Sequence, residues 1–169
     1  MTPISIPLTQ NQVCLISPED SDIAQHKWYA SAYRVDHTPN LFIAMRAKEG
    51  VRMGKKKLTM HRVILSRMIG RELLRTEWVD HINGNTLDNR RENLRLATPS
   101  QNSCNRHKRI NCTSQYKGVS WHKMTGKWIA RIRINGKVLY LGVFATEESA
   151  YQAYCAAAIE FHGEFARLK

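Results

Sequence analysis

No stretch of the sequence approaches eighteen apolar residues, which excludes a membrane-spanning helix. The opening MTPISIPLTQNQ has no basic segment leading into an apolar one, so no secretory signal is expected. Cysteine is sparse: Cys14, Cys104, Cys112 and Cys155 form no CxxC pair, which points to a reduced, cytoplasmic chain rather than a disulfide scaffold. Acidic residues are few as well. Fourteen Asp and Glu face 26 Lys and Arg, a net charge of +12 that concentrates polyanions around the chain. Nucleic acid, ahead of an anionic membrane surface, is the partner this implies. What is present is enough to fold. The 169 residues suffice for one ordinary domain or two small ones, and the 43% hydrophobic content excludes a wholly disordered basic tail.

The charge is unevenly spread. Residues 1–54 hold five basic and five acidic side chains, residues 55–112 hold thirteen against five, and residues 113–169 hold eight against four. A polyanion-facing surface is therefore expected to begin near Lys55-Lys56-Lys57 and to continue to the C-terminus.

Local patterns give a coarse outline. Asn11–Ser17 and Asn40–Met45 have strand-like apolar content, and Ile23–Ser31 reads as a short helix. Met60–Ile69 places Val63, Ile64 and Met68 at near-helical spacing with Arg62 and Arg67 exposed, and Gly70 ends it. Trp78-Val79 is a short apolar run leading into Asp80-His81, followed by the turn residues Asn83, Gly84, Asn85, Asp88 and Asn89. Asn93–Ala97 then alternates like a half-buried strand. Thr98 as N-cap, Pro99 at the first helical position and Gln101 at the third predict a capping box, with Asn102 on the first turn. The order is strand, long loop, strand, helix.

That segment gathers chemistry. Asp80 is a hard oxygen ligand of the kind Mg²⁺ prefers. His81 carries an imidazole that can deprotonate water near neutral pH. Asn102 offers an amide oxygen at a helix start, where partial positive charge favours phosphate. Each residue alone is an ordinary loop residue; the combination in a basic setting is what points to a site. With its DHINGN, ENLR and SQN runs, Asp80 to Asn102 resembles the HNH endonuclease motif, in the variant whose last histidine is asparagine. Twelve positions separate His81 from Asn93 and nine separate Asn93 from Asn102. The resemblance implies a ββα-metal core. In it, His81 would be the general base, Asp80 and Asn102 would ligate one divalent ion, and Asn93 would hold the His81 loop. His61, in a Met-His-Arg run that is also similar to these nucleases, reads as structural. Cys104, His107 and Cys112 lack a fourth ligand at finger-like spacing, so no structural zinc is expected.

The C-terminal segment is a second pattern. Trp128–Ile134 alternates, Asn135-Gly136 is a type I′ turn, and Lys137–Val143 returns. Alternation puts Trp128, Ala130, Ile132 and Ile134 on one face and Ile129, Arg131 and Arg133 on the other. Glu147–His162 reads as a helix with Tyr151, Tyr154, Ala158 and Phe161 on one stripe, ended by Gly163, and should pack on the Trp128 face. Lys117, Lys127 and Tyr140 would flank the two arginines on the open face, a form suited to the major groove. The YKGV, GKW, YLG and AYQAY runs resemble the AP2/ERF DNA-binding domain. That resemblance implies DNA contacts from Lys117, Arg131, Arg133 and Tyr140, with Trp121 a further candidate. Lys117 and Tyr140 stand where plant members usually have Arg and Trp, so the plant target sequence does not carry over.

These readings converge on an α+β endonuclease: a β-rich region over 1–54, an HNH core over 55–108, a linker over 109–115 and an AP2-like domain over 116–169. The expected reaction is metal-dependent hydrolysis of DNA, of homing type, with Mg²⁺ as the ion and Mn²⁺ as the alternative. The expected partner is double-stranded DNA in the cytoplasm of a bacterial host, with no membrane and no obligate protein partner. The competing reading is an AP2-type regulator whose nuclease core no longer cuts. An RNA-binding protein is disfavoured, because the sheet lacks paired aromatics for stacking bases.

Overall fold

The structure, a computed structural model, describes residues 2–33, 41–48, 57–106, 108 and 112–168. Lys55, Lys56 and His107, and part of the 109–115 linker, lie outside the described residues, as does Asn40 at the start of one expected strand. The chain is α+β and divides into two units, Met1–Ala97 and Thr98–Lys169.

In the first unit, β1 (Ile4–Pro7) pairs antiparallel with β2 (Val13–Ile16). A 3₁₀ stretch follows over Pro18–Gln25. Next, β3 (Tyr29–Tyr33), β4 (Leu41–Ala47) and β5 (Lys57–Thr59) form an antiparallel sheet, and α1 spans Met60–Ile69. The pair β6 (Trp78–His81) and β8 (Leu94–Ala97) encloses a loop. Inside that loop, the two-residue β7 (Asp88–Asn89) joins β2 in parallel. Ile6, Cys14, Ile16, Ile23, Trp28, Met60, Ile64 and Leu94 share one core. Ile6, Cys14, Ile16, Ile23 and Trp28 of the N-terminal part therefore pack against Leu94 and Val79 of the strand–loop–strand segment.

Three local expectations need correcting. Ile23–Ser31 is not a helix. Pro18 starts a 3₁₀ turn that ends at Gln25, the Trp28 indole closes it by donating to the Ile23 carbonyl at 2.9 Å, and Tyr29 begins a strand. Arg62 is only half-exposed, because its guanidinium donates to the carbonyls of Glu77, Leu73 and Leu74. The buried face of α1 is Met60, Ile64 and Leu65, and Met68 is exposed. Gly70 ends α1 in the left-handed conformation.

In the second unit, Thr98 and Gln101 form the capping box of a short helix, α2 (Pro99–Cys104). The strands β9 (Val119–His122), β10 (Lys127–Ile134) and β11 (Lys137–Phe144) make an antiparallel sheet on which α3 (Glu147–His162) packs. Asn135 and Gly136 both take positive φ, as a type I′ turn requires. Alanines 150, 157 and 158 bring α3 close to the sheet, and Tyr154 lies over Gly118. Phe161 continues this stripe past Ile134, at the turn end of the hairpin, and is exposed. Ile129 shares the face of Arg131 and Arg133 but is buried between its cross-strand neighbours Ser120 and Val143.

Candidate active site and nucleic-acid interface

Asp80 and His81 end β6, opposite Arg95 and Leu94 of β8. Asp80 is 2% exposed, and its Oδ2 accepts from Arg95 Nε and Nη2 at 2.8 and 2.7 Å. His81 is buried beside it, with Nε2 3.1 Å from Asn89 Oδ1. Burial pushes the His81 pKa below its ordinary value, against the Asn89 hydrogen bond and the carboxylates of Asp80 and Asp88. Burial thus favours the uncharged imidazole, the form a base needs.

Asn93 closes the loop between the strands. Its amide donates to Asn83 Oδ1 at 3.0 Å and to the Asp88 carbonyl at 2.7 Å, and its Oδ1 accepts from the Asn83 backbone at 2.9 Å. Its own carbonyl accepts from Ile82 N at 2.9 Å. Asp88 is held ionised by Arg90, which donates to both carboxylate oxygens. Behind His81 lies His61, edge-to-face with ring centroids 5.4 Å apart. Its Nδ1 is enclosed without a hydrogen-bond partner, and burial, then the charges of His81 and Arg62, pull its pKa down to about 3.

Asp80, His81 and Asn93 thus come together in the first unit, whereas Asn102 sits half-buried on α2 in the second. Among the described residues, no group of three or more His, Cys, Asp or Glu converges on one point. Asp80 offers a single oxygen-donor carboxylate partly neutralised by Arg95, which fits a hard ion that keeps most of its waters. Asn89 and Arg95 were not singled out by sequence. In the sequence Asn89 is one of several turn residues, and Arg95 falls inside the alternating strand Asn93–Ala97.

On the second unit, Lys127, Arg131, Arg133 and Tyr140 are exposed on the sheet face away from α3. Arg133 spends one Nη on the Gly136 carbonyl at 3.0 Å. Two expected contacts are placed elsewhere. Lys117 Nζ donates to the carbonyls of Cys104 and Arg106 at 2.5 and 2.8 Å, and burial lowers its pKa to about 8. Trp121 pairs with Trp128 in register, edge-on at 5.0 Å, so it belongs to the helix side of the sheet.

Comparison with known proteins matches residues 59–104 to the HNH endonuclease family and residues 114–164 to the AP2 domain. An uncharacterized HNH endonuclease of Acanthamoeba polyphaga mimivirus is 35% identical over 147 residues, 85% of this chain and 67% of that protein. The chain belongs to the HNH endonuclease family. Protein 3.8 of Escherichia phage T7 is 36% identical over 92 residues, 54% of this chain and 75% of its own length. An AP2-like ethylene-responsive transcription factor of Arabidopsis thaliana is 58% identical over 52 residues. That match covers 30% of this HNH family member and only 10% of the plant factor. No solved structure matches significantly. No helix among the described residues is long and apolar enough to cross a membrane.

Proposed function

We propose that the chain is a metal-dependent DNA endonuclease of homing type, in which His81 is the general base and the β9–β10–β11 sheet supplies targeting. The observation that carries this reading is a buried His81 imidazole beside the buried Asp80 carboxylate, in a loop that the Asn93 amide ties shut. His81 takes a proton from water as the water oxygen bonds to phosphorus and the bond from phosphorus to the 3′ oxygen breaks. By the family motif, Asp80 and Asn102 are the residues that would hold one divalent ion, and the oxygen character of both donors would suit Mg²⁺. When bound, the ion supplies charge neutralisation for the phosphorane and the leaving oxygen. Arg131, Arg133 and Tyr140 read DNA, and Lys127 contacts its backbone. Homing character is supported by the viral and phage relatives and by the pairing of an HNH segment with an AP2 segment in one chain.

The test is incubation of the purified chain with plasmid DNA in Mg²⁺ or in EDTA. Conversion to nicked or linear forms in Mg²⁺ alone is expected. DNA binding without cleavage in either condition would instead favour a regulator with an inactive core.

A further inference from the structure

We propose that Asn89, backed by Cys14 of β2, is the positioning residue that selects the His81 tautomer with its proton on Nε2 and its lone pair on Nδ1. The catalytic consequence rests on the nuclease reading above; the tautomer itself does not.

A primary amide has one accepting end and one donating end, and whichever faces an imidazole nitrogen decides whether that nitrogen carries the proton. The donating end of Asn89 is committed elsewhere. Its Nδ2 lies 2.9 Å from Cys14 Sγ and 3.8 Å from Met60 Sδ. Met60 has a thioether, which can only accept. The Cys14 thiol donates to Met60 Sδ at 3.3 Å and, more distantly, to the Leu15 carbonyl at 3.8 Å, leaving a sulfur lone pair to receive the amide hydrogen. Turned over, Oδ1 would face the Met60 thioether, which has no proton to give, and the Cys14 proton would have to leave Met60 for the amide. The direction of the chain is thus Asn89 to Cys14 to Met60. What remains for His81, at 3.1 Å, is the carbonyl oxygen Oδ1, and only an Nε2–H can use it.

The three residues that set this direction are all 0% exposed, so no solvent molecule from bulk can substitute for a lost partner. The backbone is fixed as well. Asn89 sits opposite Ile16 in the parallel β2–β7 pair, and Leu15 N donates to the Leu87 carbonyl at 2.9 Å. This gives the N-terminal strands a role in the site: they carry the thiol and the ladder that aim the amide. The basic nitrogen of His81 is then Nδ1, on the side of the ring away from Asn89.

Long-range proton–nitrogen NMR spectra of the imidazoles, taken on the full chain with His81→Gln to assign the signals, read the tautomer directly. The wild-type chain should show His81 protonated on Nε2 and bare on Nδ1. Asn89→Leu should remove that single form and lower kcat for plasmid cleavage at least about tenfold with KM for DNA little changed. Because Asn89→Leu could unfold the core, Cys14→Ser serves as the second variant. Its hydroxyl can still accept from the amide, so both the tautomer and kcat should be retained. His81 protonated on Nδ1 in the wild-type chain, or an unaltered tautomer in folded Asn89→Leu, would overturn the proposal. A wild-type chain with the expected tautomer that cuts no DNA would count against the nuclease reading while supporting the positioning of His81.

Discussion

The Arg95 guanidinium reaches Asp80 across the β6–β8 pair, with Nη2 2.7 Å and Nε 2.8 Å from the same oxygen, Oδ2. Both side chains are largely buried, 14% and 3% exposed, and each supplies charge compensation to the other. Removing one partner of such a pair typically costs about 3–5 kcal/mol. Arg95→Leu should therefore lower unfolding stability by about 3 kcal/mol in urea titration. Asp80→Asn should lose cleavage at ordinary Mg²⁺ while still binding DNA. Full activity in that variant would place the ion elsewhere.

His81→Ala should keep DNA affinity and lose about 10²–10⁴ in cleavage rate, since a general base acts on water and contributes little to ground-state binding. Band-shift and plasmid-cleavage assays on the same preparation separate the two. An unchanged rate would remove His81 from the chemistry.

The pH dependence of stability follows from His61. Its folded pKa is pulled to about 3, first by burial, while the unfolded chain protonates near the ordinary value of 6.5. A depressed pKa means the folded state binds fewer protons, so its stability is intact above about 6.5 and falls as pH drops towards 3. The slope contributed is at most about 1.4 kcal/mol per pH unit. His61→Phe should flatten it in denaturant titrations at several pH values. The same slope in that variant would mean that acid acts through another group.

Gly118 combines two requirements. Its φ is +77°, and a Cβ there would lie 2.0 Å from Tyr154 Cδ2. Gly118→Ala should cost at least about 2 kcal/mol and disturb the packing of α3. Gly136, at φ +80° with nothing within 4 Å, carries the backbone strain alone. Gly136→Ala should cost about 1 kcal/mol. Equal losses would show that the contact with Tyr154 does not matter.

On the open sheet face, Arg131→Ala should weaken site-specific DNA binding by about 1–3 kcal/mol, and Arg133→Ala by less, since Arg133 already donates to Gly136. Lys127→Ala should weaken all DNA alike and reduce the salt slope by about one. Lys117→Ala should reduce stability and leave the salt slope unchanged, because its ammonium is spent on the carbonyls of Cys104 and Arg106. A reduced slope for Lys117→Ala would restore it to the DNA interface.

The sequence alone determined what near neighbours decide. The capping box at Thr98 and Gln101, the Asn135-Gly136 turn, the helices over 60–69 and 147–162 and the alternation that exposes Arg131 and Arg133 all depend on contacts within a few residues. The order and spacing of Asp80, His81, Asn93 and Asn102 were legible for the same reason, as a motif with its own local pattern. What a polar residue does once buried was decided only by tertiary structure. Asn83, Asn85 and Asn89 look alike as turn formers, yet Asn83 bonds Asn93 and Asp88, whereas Asn89 meets His81 and a thiol 75 positions away. Lys117 reads as a surface cation until Cys104 and Arg106 offer it two carbonyls, and Trp121 reads as a DNA contact until strand register turns it towards Trp128. The physical reason is common to all three: a side chain's period gives its face, but its partner is set by which distant segment folds against it.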